Sequence, residues 1–387
     1  PYTVEFGLDG AQPMFLGALA SQYTGEILDA QAVKAHVKNH DWGHEWVSQH
    51  DAGTGPYMLH SWVHGQQIVL TRFPHYWGGW SGPHFSTIDV RTVPDATTRR
   101  ELLERGQADI TFDLTQQDYD ALKMNPVVTV AAPNGTEIEY IVMTEWGPLA
   151  SPYARQALSY AFNYDAVING IKHGYARRAY GPIPSIMLGY DPHMFHYQTN
   201  LNKARALLRK AGVKPGTVLT YMYADPLGPQ GEILQAQLAQ VGITVKLQRL
   251  DEPAFYAILN GNEPPSQRPN LFGYGWYPDY NDPYDMCEPI IASSAAGAAG
   301  SNAGFYHNKE VDALLAQMKS AGRETIIRAA ARLQDITGRV DPPAIWTDEP
   351  AQAAVLARSV QGYVFNPIYL RTFLFYPMHR SRPASHG

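Results

Sequence analysis

The chain has 387 residues, too many for one ordinary domain of about 100 to 200 residues, and its 45% hydrophobic content can fill two cores. Lysine and arginine total 30 against 36 aspartate and glutamate, a formal charge of -6, so a nucleic-acid partner drawn by counterion release is not expected. No stretch approaches the roughly 18 uninterrupted apolar residues of a membrane-spanning helix, and the single cysteine, Cys287, excludes an internal disulfide. The chain opens at Pro1 without a methionine, a basic n-region or an apolar h-region, so a leader removed earlier would leave no trace here.

Taken in chain order, Ser86 to Pro94 reads as a strand, Ala96 to Arg105 as a helix and Ile110 to Leu114 as a second strand. Glu137 to Thr144 (EIEYIVMT) is strand-like, and after a turn at Trp146-Gly-Pro148 a long helix is predicted from Pro152 to Gly170. Asn202 to Ala211 has apolar helical spacing that Gly212 stops, and Val218 to Ala224 alternates as a half-buried strand. Gly231 to Gln240 repeats the helix, Gly242 ends it, and Ile243 to Leu250 supplies another strand. Pro- and Gly-rich stretches at 181–192, 261–269 and 292–304 read as turns, the last of them as flexible. The tail from Ser381 to Gly387 is expected to fray. The pattern is that of two α/β lobes.

Several motifs then fall in one order. They are Gly53-Thr-Gly-Pro-Tyr57, Arg72-Phe-Pro-His-Tyr-Trp-Gly-Gly79, Arg99 to Ile110, Arg155-Gln-Ala-Leu158 with Tyr160-Ala-Phe-Asn163, and Lys203 to Gly212. Trp276 to Pro283 (WYPDYNDP), Phe305-Tyr-His-Asn308 and Val360-Gln-Gly-Tyr363 follow. In this order they resemble extracellular solute-binding family 5, the peptide-, dipeptide- and nickel-binding receptors of ABC importers. The likeness covers about Tyr2 to Pro367, starting inside the family pattern as though a large N-terminal part were missing.

The resemblance implies a two-lobed α/β fold of the large periplasmic-binding-protein type II class, with mixed sheets and a hinge. The implied division is residues 1–51 as the end of a small subdomain, 52–136 as the core of lobe I, 137–351 as lobe II and 352–387 as a return to lobe I. The implied function is capture of di- or oligopeptides in a closing cleft for delivery to a membrane permease, by a periplasmic monomer or a lipid-anchored extracellular protein. Neither a cofactor nor a resident metal is implied. Asp279 matches the acidic residue that pairs with the ligand's α-ammonium, a short charge-assisted contact favoured in a water-poor cleft. Trp276 and Tyr140 match cleft walls, and the backbone of Gly275 and Tyr277 matches the strand edge to which an extended peptide adds. Thr144 and Pro148-Leu-Ala-Ser151 depart from the family pattern, and Gly273 stands where some members carry an arginine for a peptide carboxylate. An oligosaccharide, an opine or a metal chelate is the alternative ligand on the same scaffold.

Outside the resemblance, His36, His40 and His44 recur every four residues, which on a continuous helix would align three imidazoles for a metal. Asp41-Trp-Gly43 is expected to interrupt that helix. The sequence lacks a Gly-x-Ser-x-Gly elbow, a phosphate loop and a His-Glu-x-x-His motif, so the chain reads as a binding protein, with a small-amide hydrolase the distant alternative.

Overall fold

The computed structural model describes residues 3–22 and 24–381, so the predicted frayed end beyond Ser381 and the start of the resemblance at Tyr2 lie outside the described residues. Contacts divide the chain into two compact units, one of residues 1–21 with 134–351 and one of 22–133 with 352–387. The implied division puts residues 1–51 with lobe I, whereas the described segment before Gln22 packs with residues 134–351. Its helix Phe15–Leu19 lies near Tyr280, whose hydroxyl is 3.2 Å from Met14 Sδ.

The smaller unit is built from hairpins. Tyr57–Val63, Gln67–Arg72 and Thr87–Arg91 form one antiparallel sheet, and Ala354–Ala357, arriving from the far end of the chain, sits between Ile110–Phe112 and Val128–Ala131 in a second. The helix Ala96–Glu104 starts where Asp95 accepts from Thr98 N, and Gln116–Lys123 starts on a reciprocal Thr115–Asp118 capping box.

The larger unit is organised by a six-stranded mixed sheet in the order Ala176–Arg178, Ala344–Pro350, Ile138–Met143, Leu271–Trp276, Val218–Tyr223, Thr244–Arg249. The first four are antiparallel neighbours, and the last two join in parallel. Ile138–Met143 is buried along its whole length because helices cover both faces. Its residues alternate: Ile138, Tyr140 and Val142 enter one apolar cluster, Ile141 and Met143 the other.

The long helix predicted from Pro152 to Gly170 is broken. An α-helix runs Pro152–Ala161, Phe162 is extended and fully buried, and a π-helix Ala166–Ile171 restarts after Asn163 accepts from Ala166 N. The apolar periodicity did not reveal the break, since Phe162 remains in the core on either reading. The stretch 292–304 is also more ordered than its composition suggests. Asn302, buried, donates to Ala292 O and Tyr306 O and accepts from Tyr306 N, so one side chain fixes the whole excursion.

Two family motifs meet at Arg155, whose side chain is entirely buried. Its Nε donates to Pro342 O at 3.0 Å, Nη1 to Leu149 O and Ala150 O, and Nη2 to Glu145 and Asp341. Asp341 also accepts from Asn308 Nδ2, and Glu145 from the amide of His307. Asn308 in turn caps the helix Lys309–Ser320. Every guanidinium donor group is met, which is the condition for burying an arginine without large cost.

Candidate functional site

The strand Leu271–Trp276 pairs with Ile138–Met143 over its full length, but with Val218–Tyr223 only at Leu271 and Phe272. From Gly273 to Trp276, therefore, the backbone edge turned away from Ile138–Met143 has no strand bonded to it. Gly275, opposite Glu139 in the register, lies on this stretch, and Tyr277 follows just beyond it, half-buried. A Cβ on Gly275 would meet only ordinary contacts, the nearest Glu137 Oε1 at 3.4 Å, so the glycine leaves the edge open without being sterically required.

Trp276 and Tyr140 lie on the same face of the sheet. An aromatic row runs from Trp346 to Tyr140 at 5.0 Å between ring centroids, on to Tyr274 at 5.8 Å and then to Trp276 at 6.5 Å. Tyr140 is 2% exposed and belongs to the apolar core, so in this structure it is a packed residue rather than an open wall. Desolvation holds its hydroxyl well above the ordinary tyrosine range. The Tyr140 hydroxyl and the Trp276 indole N–H are both buried and have no hydrogen-bond partner among the described residues. Leaving such groups unmet costs about 1 to 3 kcal/mol each.

Beyond Trp276 the chain turns through Pro278, and Asp279 stands on the turn, exposed to solvent rather than enclosed as the ammonium-anchor expectation implied. The reason is local: the turn carries it past the end of the strand, where neighbouring strands no longer cover it. No described lysine, arginine or histidine forms an ion pair with its carboxylate. Partial desolvation pushes that carboxyl above the ordinary aspartate range. Two further carboxylates organise the turn. Asp282 caps the helix Pro283–Ile291 by accepting from Tyr284 N at 2.8 Å. Asp285, in that helix's first turn, accepts from the amides of Asp279 at 2.6 Å and Tyr280 at 3.1 Å. Desolvation raises both, Asp285 to about 6, with Asp279 and Asp282 adding like-charge repulsion at Asp285.

One further cluster went unnoticed in the sequence. On the sheet face opposite the aromatic row, Lys172 Nζ donates to both Glu139 oxygens at 2.7 and 2.8 Å and lies 3.6 Å from Asp348 Oδ2. Gln230 donates to Glu139 at 2.6 Å and to Asp348 at 3.2 Å, and the Thr347 hydroxyl donates to Glu139 O. Burial alone would lower Lys172, but Glu139 and then Asp348 outweigh it and hold the ammonium above the ordinary lysine range. Burial, then Glu139, raises Asp348 to about 8, against the pull of Lys172. The available signal was a glutamate at an alternate position of an otherwise apolar strand, while Lys172, at the end of the π-helix, had none.

The histidine spacing does not build a metal site. The helix Ala30–Ala35 ends at His36, Asn39, His40 and Trp42 take left-handed backbone, and His44 opens the separate helix His44–Val47. His36 and His50 instead each stack on Trp46, at 4.2 and 4.7 Å between ring centroids. Among the described residues no group of three or more His, Cys, Asp or Glu side chains is placed to hold a metal ion. A cavity of about 730 Å³ in the smaller unit, lined by residues that include Ile88, Arg99, Phe112 and Phe373, contains none of the predicted site residues. Arg99 is already engaged there, donating to the carbonyls of Val93, Pro94 and Asp113.

Comparison with known proteins places this geometry. Residues 1–298 match the family described as bacterial extracellular solute-binding proteins, family 5, middle region. The probable D,D-dipeptide-binding periplasmic protein DdpA of Escherichia coli K12 is 32% identical over 387 residues, covering 96% of this chain and 70% of the relative. The glutathione-binding protein GsiB of Salmonella choleraesuis is 27% identical over 371 residues, covering 95% and 69%. The periplasmic binding protein DppA of Helicobacter pylori, solved with the peptide STSA, shares the fold at a TM-score of 0.81 and 22% identity, over 97% of this chain and 72% of that one. Both the mixed α/β fold and the order of motifs agree: the chain belongs to the bacterial extracellular solute-binding proteins of family 5.

Proposed function

We propose that this chain captures short peptides through their free α-ammonium group and is the receptor part of an ABC importer, working as a monomer in the periplasm or on the outer cell surface. The observation that carries the reading is Asp279, an acid just past an unbonded strand edge with no cation paired to it among the described residues. An ammonium brought there gains charge-assisted hydrogen bonds, and the partly desolvated carboxylate gains the partner it lacks. The edge from Gly273 to Trp276 offers main-chain groups to an extended ligand. Main-chain recognition of this kind leaves side-chain preference loose. The relatives' names point the same way, DdpA to D,D-dipeptides and GsiB to glutathione, each ligand carrying a free amine. The role is binding and release, with no bond made or broken.

The test is to denature the purified protein and identify what it releases by mass spectrometry, then to titrate the stripped protein with that compound. A peptide with a free amine is the expected result. A neutral sugar, or a chelate without a free ammonium, overturns the reading.

A further inference from the structure

We infer that Asp285 is a positioning residue for ligand capture: by holding the amides of Asp279 and Tyr280 it aims the Asp279 carboxylate, and it couples binding of a cationic amine to release of a proton. The inference rests on the peptide reading above and names a residue that reading does not use.

The geometry comes first. Asp279 sits on a turn between the strand Leu271–Trp276 and the helix Pro283–Ile291, where a side chain's direction depends on what fixes the backbone. Two consecutive amides of that turn, those of Asp279 and Tyr280, converge on one oxygen, Asp285 Oδ2, at 2.6 and 3.1 Å. Asp282 fixes the other side of the turn by capping the helix through Tyr284 N. The turn is thus pinned by two carboxylates, and the third, on Asp279, is left outward without a hydrogen-bond partner among the described residues.

The coupling follows from what surrounds Asp285. The charged groups that face it from the turn are Asp279 and Asp282, both acids, with Tyr280 and Tyr284 beside them. The helix Lys309–Ser320 packs on Pro283–Ile291, and its Asp312 is committed to the Ser293 amide and hydroxyl. Met14, against the Tyr280 hydroxyl, brings no charge. No described cation forms an ion pair with Asp279, Asp282 or Asp285, so the three share one desolvated negative field, and Asp285 is the one raised to about 6. A ligand ammonium at Asp279 is the missing opposite charge. It favours the ionised form of Asp285, so binding releases a proton, and by linkage affinity falls when acid restores that proton. If the ammonium lowers Asp285 by about one unit, affinity drops about fivefold from pH 7 to pH 5.

The experiment pairs a ligand-free readout with a ligand readout. Amide hydrogen exchange at Asp279 and Tyr280 is measured in the wild type, Asp285→Ala and Asp285→Asn, and each protein is titrated by calorimetry with a set of free-amine di-, tri- and tetrapeptides at pH 7 and pH 5. Expected are at least tenfold faster exchange at both amides in Asp285→Ala and a smaller change in Asp285→Asn, which keeps an acceptor oxygen. The wild type should lose about fivefold in affinity at pH 5, and Asp285→Asn, having no proton to exchange, much less. Unchanged exchange in Asp285→Ala, or the same pH loss in Asp285→Asn as in the wild type, overturns the assignment of Asp285 alone. Absence of free-amine binding by the wild type at both pH values, with the exchange effect present, overturns the peptide reading and the proton coupling with it.

Discussion

Two sets of carboxylates in the same unit meet burial in opposite ways. Glu139 and Asp348 lie inside the fold with a lysine between them and Gln230 bridging them. Asp279, Asp282 and Asp285 crowd one turn with backbone amides but, among the described residues, no paired cation. A buried charge survives in a stable fold when its partner is folded in with it; a carboxylate left unpaired at a turn is a charge whose partner is still to come. The first arrangement serves the fold, and the second is the one the proposed function assigns to a ligand.

Removing the cation from the buried set gives the largest contrast. Lys172→Met leaves Glu139 and Asp348 without their cation and is expected to destabilise the protein by about 3 to 5 kcal/mol in urea unfolding. Asp279→Asn, equally a one-charge change, should alter stability by no more than about 0.5 kcal/mol. Similar losses in the two variants would erase the distinction. In binding the ranking reverses: Asp279→Asn should weaken a free-amine peptide by about 2 kcal/mol, roughly 30-fold.

The pH dependence sharpens the same contrast. Asp348 is raised to about 8 in the fold from an ordinary aspartate value of 3.8, so between those values the folded state holds a proton that the unfolded chain has lost. Its contribution to stability is therefore present at low pH and lost as pH rises through about 8. Stability should decline by about 2 kcal/mol from pH 6 to pH 8, and the decline should vanish in Asp348→Asn. A flat profile over that interval would mean that Lys172 holds Asp348 ionised in the fold. The smallest effect is expected at Tyr140→Phe, which removes a buried hydroxyl that has no partner among the described residues and should leave unliganded stability unchanged or raise it by up to about 1 kcal/mol in thermal unfolding.

Much of this was legible in the sequence. The strand at Glu137 to Thr144 and the helices at Ala96 to Arg105 and Asn202 to Ala211 follow from apolar periodicity, and appear as Ile138–Met143, Ala96–Glu104 and Leu201–Lys210. The motifs that carried the resemblance are largely structural: Arg155 and Asn308 tie the helix Lys309–Ser320 and the Asp341 turn to one guanidinium. Three features were not legible, for separate reasons. The break at Phe162 conserves burial and so leaves apolar periodicity intact. The order of 292–304 depends on one asparagine inside a small-residue stretch. The Glu139–Lys172–Asp348 cluster joins residues 33 and 209 positions apart in the chain, a pairing only the sheet order creates. Gly275, Trp276, Tyr277 and Asp279 were assigned together because the resemblance runs through one short motif, whereas the packing of Tyr140 against Trp346 required the neighbouring strand.

The most direct test of the account is a calorimetric comparison of one peptide with its N-acetylated counterpart, each titrated into the wild type and into Asp279→Asn at pH 7. An anchor at Asp279 predicts that acetylation abolishes binding to the wild type and that the substitution weakens the free-amine peptide toward the same level. Equal affinity for the two peptides, or free-amine binding untouched by Asp279→Asn, would contradict it.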